Sequence, residues 1–284
     1  MFKIGFIDYY LDEWHAENYP KWIEQISGYK FRVHAAYGDV EGTAFGRRSN
    51  QEFCDAHGIK LLATIEEVIA QSDCLIVLSP DNPEEHMRLA EAALKSGKPV
   101  YVDKTFANCE ADAITMFDLA EAYNTPMFST SALRYSEVYR NLPEGITNLS
   151  SQGAGTPYNY IIHQLEPIIK IMGTDVKCGL AWGSKNLTNY LLEFDSGKTA
   201  ALHQHESLGF KMLAETADTT LVLEANDNFF DRLMREMLDF FALAIETAAV
   251  DRPVAREETI AVMAAREILL EALETPGEWV NRKR

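Results

Sequence analysis

"DCLIVLSPDNPEEHMRLAEAALKSGKPVYVD", residues 73–103, decides the fold. Residues 74–78 are a continuous apolar run, the pattern of a strand buried on both faces. A helical segment follows, with Pro83 near its first turn and Gly97 at its stop. Residues 99–103 then read as a second strand. Strand, helix and strand in this order form a parallel βαβ unit.

The alternation continues outward on both sides. "FKIGFI" (2–7), "YKFRVHAAY" (29–37), "IKLLA" (59–63) and "PMFST" (126–130) read as strands. "WHAENYPKWIEQI" (14–26), "RRSNQEFCDAHG" (47–58), "TIEEVIAQS" (64–72) and "CEADAITMFDLAEAYN" (109–124) read as helices, Pro20 interrupting or shaping the first. Thr64 with Glu67 three residues on is a capping box. This is an α/β pattern, an N-terminal Rossmann-like doubly wound parallel sheet over residues 1–130. Ligands of such sheets bind beyond the carboxyl ends of the strands.

After residue 130 the pattern changes. "YNYIIHQLEPIIKIMG" (158–173) is helical and apolar, and strand-like runs follow at 177–183, 189–207, 209–215 and 219–225. "DSG" (195–197) is a hairpin turn signal. Two helices, 227–248 and 256–275, close the chain. Residues 131–284 therefore read as a C-terminal α+β domain with a mainly antiparallel meander.

The formal charge of −17 makes nucleic acid and anionic membrane surfaces poor partners, because both repel a polyanion. The four cysteines form no C-x-x-C pair and read as reduced thiols of a cytoplasmic protein. The N-terminus lacks a signal-peptide pattern, and no apolar run reaches membrane-spanning length.

Lys104 closes the strand at 99–103 and is aimed at the ligand crevice, where an ammonium orients a hydroxyl or lends charge to an alkoxide. The alternative is a surface lysine paired with Asp103. In "ALHQHES" (201–207), His203 and His205 share one strand face, a spacing open to substrate hydrogen bonding, subunit contact or, with His163 and Glu166, a metal. No metal site is assigned.

Residues 78–107 as a whole resemble the Gfo/Idh/MocA oxidoreductases, the glucose–fructose oxidoreductase and inositol dehydrogenase family. The family's T-P-N is matched by Ser79-Pro80-Asp81, or Asn82 one step on. Its G-K-x-V and E-K-P are matched by Gly97-Lys98-Pro99-Val100 and Asp103-Lys104-Thr105. Arg134-Tyr135 resembles its R-[FY], and residues 253–273 resemble its closing helix. The resemblance implies a nicotinamide cofactor, NAD or NADP, near Ser79, Pro80, Asp81, Asn82 and Lys104. It also implies a sugar-like or polyol small-molecule substrate in an interdomain cleft, a homo-oligomer, and His163 of "YNYIIHQLEP" as general base. Many members carry aspartate four residues before that histidine; here it is Asn159. Arg134, Tyr135, His203 and His205 are substrate-binding candidates.

Asp103 for glutamate and Thr105 for proline are a milder departure from the family, and the opening stretch is a third. In "GFIDYYLDEWHAENYP" (5–20) the three fingerprint glycines fall on Asp8, Tyr10 and Glu13. At ~4 Å and an effective dielectric of ~20, a carboxylate there repels a phosphate charge by about 4 kcal/mol. Asp39, near the end of the second strand, and Arg47 and Arg48 are candidates for the adenosine ribose and a 2′-phosphate. The expected function is hydride transfer between a nicotinamide and a sugar-like or polyol substrate. The alternatives are a non-redox small-molecule binding protein without a dinucleotide, and a metal- or His-dependent lyase, hydrolase or epimerase.

Overall fold

The computed structural model describes residues 1–28, 30–184, 186–248 and 251–283. The chain divides into two compact units. The first comprises Met1–Ala107, Ala111–Thr130 and Leu233–Ala255, and the second Asn108–Glu110, Ser131–Arg232 and Arg256–Arg284.

The first unit carries a six-stranded sheet. In chain order its strands are β1 (Phe2–Asp8), β2 (Phe31–Gly38), β3 (Lys60–Leu61), β4 (Cys74–Val77), β5 (Val100–Val102) and β6 (Met127–Ser129). They lie side by side as β3-β2-β1-β4-β5-β6, and every pair is parallel. The crossover helices are α1 (Trp14–Ser27), α2 (Asn50–His57), α3 (Ile65–Gln71), α4 (His86–Leu94) and α5 (Glu110–Ala122). β4, β5 and β6 are buried throughout, as their unbroken apolar runs require. The Rossmann-like sheet read from the sequence is thus present.

Three local details differ from the sequence reading. α1 runs through Pro20 without a break. α2 starts at Asn50, after Ser49, whose side chain and Glu52 form a reciprocal capping box; Arg47 and Arg48 precede the helix. A 3-10 turn at Pro83–Glu85 leads into α4.

The second unit carries a seven-stranded sheet. Its strands are β7 (Asn148–Gly153), β8 (Val176–Gly183), β9 (Thr188–Phe194), β10 (Thr199–Gln204), β11 (Lys211–Glu215), β12 (Thr220–Glu224) and β13 (Val280–Asn281). The order is β12-β11-β7-β10-β9-β8-β13. The "DSG" turn joins β9 to β10, with Gly197 in the left-handed region at φ 83°. β7 is the departure from a simple meander: it sits mid-sheet, parallel to β10 and antiparallel to β11. Its sequence, "NLSSQG", lacks the β-branched and aromatic residues that mark a strand, and pairing on both edges holds it instead.

α6 (Pro157–Met172) and α8 (Arg256–Glu274) pack in this unit, while α7 (Phe229–Thr247) leads from it into residues of the first. Gln164 of α6 accepts from Ser151 Oγ at 2.8 Å and donates to the His203 carbonyl at 3.3 Å, fixing α6 over the Leu202 face of the sheet. The opposite face carries one cross-strand row of Leu180, Leu191, Ala201, Ser150, Leu213 and Val222. Leu213 is 41% and Val222 60% exposed.

Candidate functional site

In the first unit the loops at the carboxyl ends of β1, β4 and β5 gather most of the polar side chains. β1 ends on Asp8, which is buried. Burial, and then the charge of Glu13, push its carboxyl well above the ordinary carboxylate range. The segment that follows is pinned. The Asp39 N–H donates to the Asp8 carbonyl at 3.0 Å and the Val40 N–H to the Tyr9 carbonyl at 2.7 Å. Asn50 accepts the Leu11 N–H at 3.2 Å and donates to the Gly38 and Val40 carbonyls. Gly38 permits this, since a Cβ there would lie 2.5 Å from the Asn50 amide nitrogen. Tyr10 stacks on Phe45 at 4.7 Å between centroids.

α1 begins at once, and its capping group is Glu13. The Glu13 carboxylate accepts the His15 N–H at 2.7 Å and the Ala16 N–H. These are the first-turn donors that a cofactor phosphate uses in a Rossmann fold. The His15 ring lies 3.1 Å from Glu13 and 3.7 Å from Asp103. The other oxygen of Asp103 accepts from Tyr101 at 2.9 Å and Tyr19 at 3.3 Å. The residues present do not fit a pyrophosphate at this position: its donors are taken, Tyr10 adds bulk, and Glu13 and Asp103 set carboxylates beside it.

The outer rim is also committed. Arg48 binds Asp12 at 2.6 Å and Glu17 at 2.5 Å. Burial alone would raise the Asp12 carboxyl, but the Arg48 hydrogen bonds outweigh it and lower it. Asp39 takes Arg88 at 2.6 Å and the Tyr37 hydroxyl at 2.9 Å. Ribose and 2′-phosphate recognition by these residues would need those pairs to open. Asp12, Glu13, Trp14, Glu17, Arg47, Arg48 and Asp81 line a cavity of about 390 Å³.

Lys104 is buried, which corrects the reading of a surface lysine. Nor does it pair with Asp103, whose contacts are those above. Strand alternation sends neighbouring side chains to opposite faces. Lys104 Nζ donates one hydrogen bond, to the Pro80 carbonyl at 3.2 Å, and has no carboxylate at ion-pair distance among the described residues. Ser79 sits at φ 79° and donates to the Asn82 carbonyl at 3.1 Å, shaping the loop that presents Pro80. His86 ties this loop to the Lys104 segment. One ring nitrogen contacts the Leu78 carbonyl; the other lies 2.7 Å from that of Thr105. Asp81 and Asn82 stand at the rim, Asp81 on the cavity wall.

In the second unit His163 projects from α6 with Nδ1 2.6 Å from Ser131 Oγ. Tyr160 and Phe210 flank its ring at 5.3 and 5.8 Å. Ser131 is oriented in turn: its N–H donates to Glu166 at 3.1 Å, and Glu166 pairs with Arg134 at 3.0 Å. Burial opposes the Arg134 charge, but Glu166 and Glu258 outweigh it and hold its pKa raised. Arg134 thereby acts on Ser131 through Glu166, and Tyr135 beside it is buried. Asn159 is one turn before His163. Its Oδ1 is buried without a hydrogen-bond partner among the described residues, and Ser131 is the residue that touches the imidazole.

β10 ends at Gln204, so His205 lies just past the strand and accepts the Ser207 N–H. His203 faces away from α6 and lies 2.8 Å from Asn189. Among the described residues, no three histidine, cysteine, aspartate or glutamate side chains converge on a metal-sized position.

Residues missed by sequence reading are Ser131, Glu166 in its supporting role, Tyr19, Tyr101, His86 and Asn50. All but Tyr101, two residues from Asp103, act through long-range contacts that no local spacing reveals. Only Ser131 carried a signal, lying directly after the sixth strand.

Residues 37–130 match the sequence model of the Gfo/Idh/MocA oxidoreductase family, described as having an NAD-binding Rossmann fold. The resemblance to that family is borne out. The match starts on β2, after the rebuilt β1–α1 loop. No curated protein matches the chain. Several solved structures share the fold over nearly the whole length. GenD2 from gentamicin A biosynthesis, in complex with NAD, has 10% identity and a TM-score of 0.79, covering 100% of this chain and 97% of that one. The scyllo-inositol dehydrogenase of Lactobacillus casei, with bound NAD(H) and scyllo-inositol, has 15% identity and a TM-score of 0.77, covering 99% and 98%. The myo-inositol 2-dehydrogenase of Lactobacillus plantarum has 14% identity and a TM-score of 0.78, covering 99% of each. Among the described residues no helix is long and apolar enough to cross a membrane.

Proposed function

We propose that this Gfo/Idh/MocA-type chain binds a small polyhydroxylated compound, sugar-like or a polyol, and that Lys104 and His163 handle its hydroxyl groups. The observation that carries this is Lys104. A buried ammonium has three protons to place and strongly disfavours isolation. Here it has one neutral acceptor, the Pro80 carbonyl. A substrate oxygen supplies the missing partner, and the ammonium in turn stabilises negative charge as a hydroxyl loses its proton. His163, tied at Nδ1 to Ser131, supplies an imidazole for proton transfer. The inositol dehydrogenases among the structural neighbours support this substrate class.

Titration calorimetry with inositols and hexoses tests the reading on the wild type, Lys104→Met and His163→Ala. A compound that binds the wild type should bind each variant about tenfold more weakly or worse. Equal affinity for all three proteins contradicts it.

A second reading is hydride transfer to a nicotinamide, NAD or NADP, favoured by the family match over residues 37–130. It requires a dinucleotide pose other than the usual one at α1, or release of Glu13. Reduced nicotinamide forming from a polyol in the presence of enzyme would establish it. We also propose that the exposed row ending in Leu213 and Val222 mediates self-association, in a protein working in the cytoplasm.

A further inference from the structure

We infer that Glu13 is a specificity determinant: its carboxylate is a resident anion that fills the phosphate position at the start of α1 and selects against phosphate-bearing ligands. The inference rests on the poor fit of a pyrophosphate described above, and names the group responsible.

The geometry is specific to Glu13. Its two oxygens take two different first-turn donors, His15 N–H and Ala16 N–H. A phosphate engages helix N-termini through such amides, helped by the positive end of the helix dipole. The same oxygen that binds the His15 N–H also faces the His15 ring, so the side chain is held from two directions. Rotation outward would leave two backbone donors without their acceptor.

The neighbours keep the position closed to a second anion. Asp8 and Asp103 each have one buried oxygen without a hydrogen-bond partner among the described residues, and both residues are 1% exposed. A phosphate brought here would meet the Asp103 carboxylate, an acceptor where it needs a donor. The nearest cations on the rim do not compensate, since Arg48 is taken by Asp12 and Glu17. The pinning of residues 8–11 by Asp39, Val40 and Asn50 denies the loop an easy retreat. A neutral hydroxyl-bearing ligand carries no such penalty, which separates the two ligand classes by charge.

Titration with inorganic pyrophosphate and with NADH tests this on the full chain. The wild type should give no saturating heat with either at millimolar concentration. Glu13→Ala, which frees the two amides, should bind pyrophosphate at least about tenfold more tightly than the wild type. Glu13→Gln, which keeps a capping oxygen without the charge, should fall between them and serves if the alanine variant does not fold. Glu24→Gln, a carboxylate near the far end of α1, is the control and should behave as the wild type. Wild-type binding of pyrophosphate, or no gain in either folded Glu13 variant, overturns the inference. Polyol binding in the same proteins is read separately, so failure of the Glu13 inference and failure of the proposed polyol function give different results.

Discussion

At the scale of single residues, Lys104 and His163 could be named from the sequence, but their surroundings could not. Lys104 follows a strand that is apolar in any reading, so its place beyond the carboxyl end of β5 is a local property. Its lack of a carboxylate depends on Asp103 being engaged by Tyr19 and Tyr101, 84 and 2 residues away. Likewise Ser131 reaches His163 across 32 residues, and no motif encodes that contact. Because Lys104 is an unpaired buried cation, Lys104→Met should leave thermal stability unchanged or raised while weakening polyol binding. A large fall in melting temperature would contradict that account.

Asp8 gives a pH prediction. Its folded pKa lies well above the unfolded value, chiefly through burial and then Glu13. The folded state therefore holds a proton that the unfolded state releases, and stability is lost as pH rises from the unfolded towards the folded pKa. Asp8→Asn carries no such charge. Its melting temperature relative to the wild type should climb from pH 4 to pH 8, read as about that range of buffers. A difference that stays flat or falls would contradict the buried-carboxylate picture.

At the scale of elements, the strands and helices of the first unit were legible because period and punctuation agree: apolar runs, Thr64 as the N-cap of α3 and Gly58 as the stop of α2; the reciprocal half of the Thr64 capping box is absent, since Glu67 accepts from the Ala63 N–H instead. β7 was not, because a strand of serine, glutamine and glycine owes its state to neighbours on both edges. The start of α2 was blurred by the two arginines before it; Ser49 marks the true boundary. Ser49→Ala should cost about 1 kcal/mol in urea unfolding, the usual worth of such a cap. An unchanged midpoint would show that packing of Phe53 and Cys54 alone holds α2.

At the scale of the whole molecule, the order of elements in the sequence was enough to give a parallel sheet followed by a mainly antiparallel one. What the sequence left open was how the vacated glycine fingerprint is filled. The structure answers with Glu13 on the α1 donors and Tyr10 on Phe45. The exposed row on the second sheet bears on assembly: light scattering across a concentration series should show an oligomer, and Val222→Glu with Leu213→Lys should reduce it to a monomer. A wild type that is monomeric throughout would remove that proposal.

The Rossmann-like sheet is retained here, while Glu13 occupies the α1 amides on which a pyrophosphate would sit. Calorimetric titration of the wild-type protein with NAD, NADH, NADP and NADPH tests it most directly. No saturating heat is expected for any of the four at millimolar concentration. A saturable isotherm for one of them, at an affinity that Glu13→Ala does not improve, would contradict it.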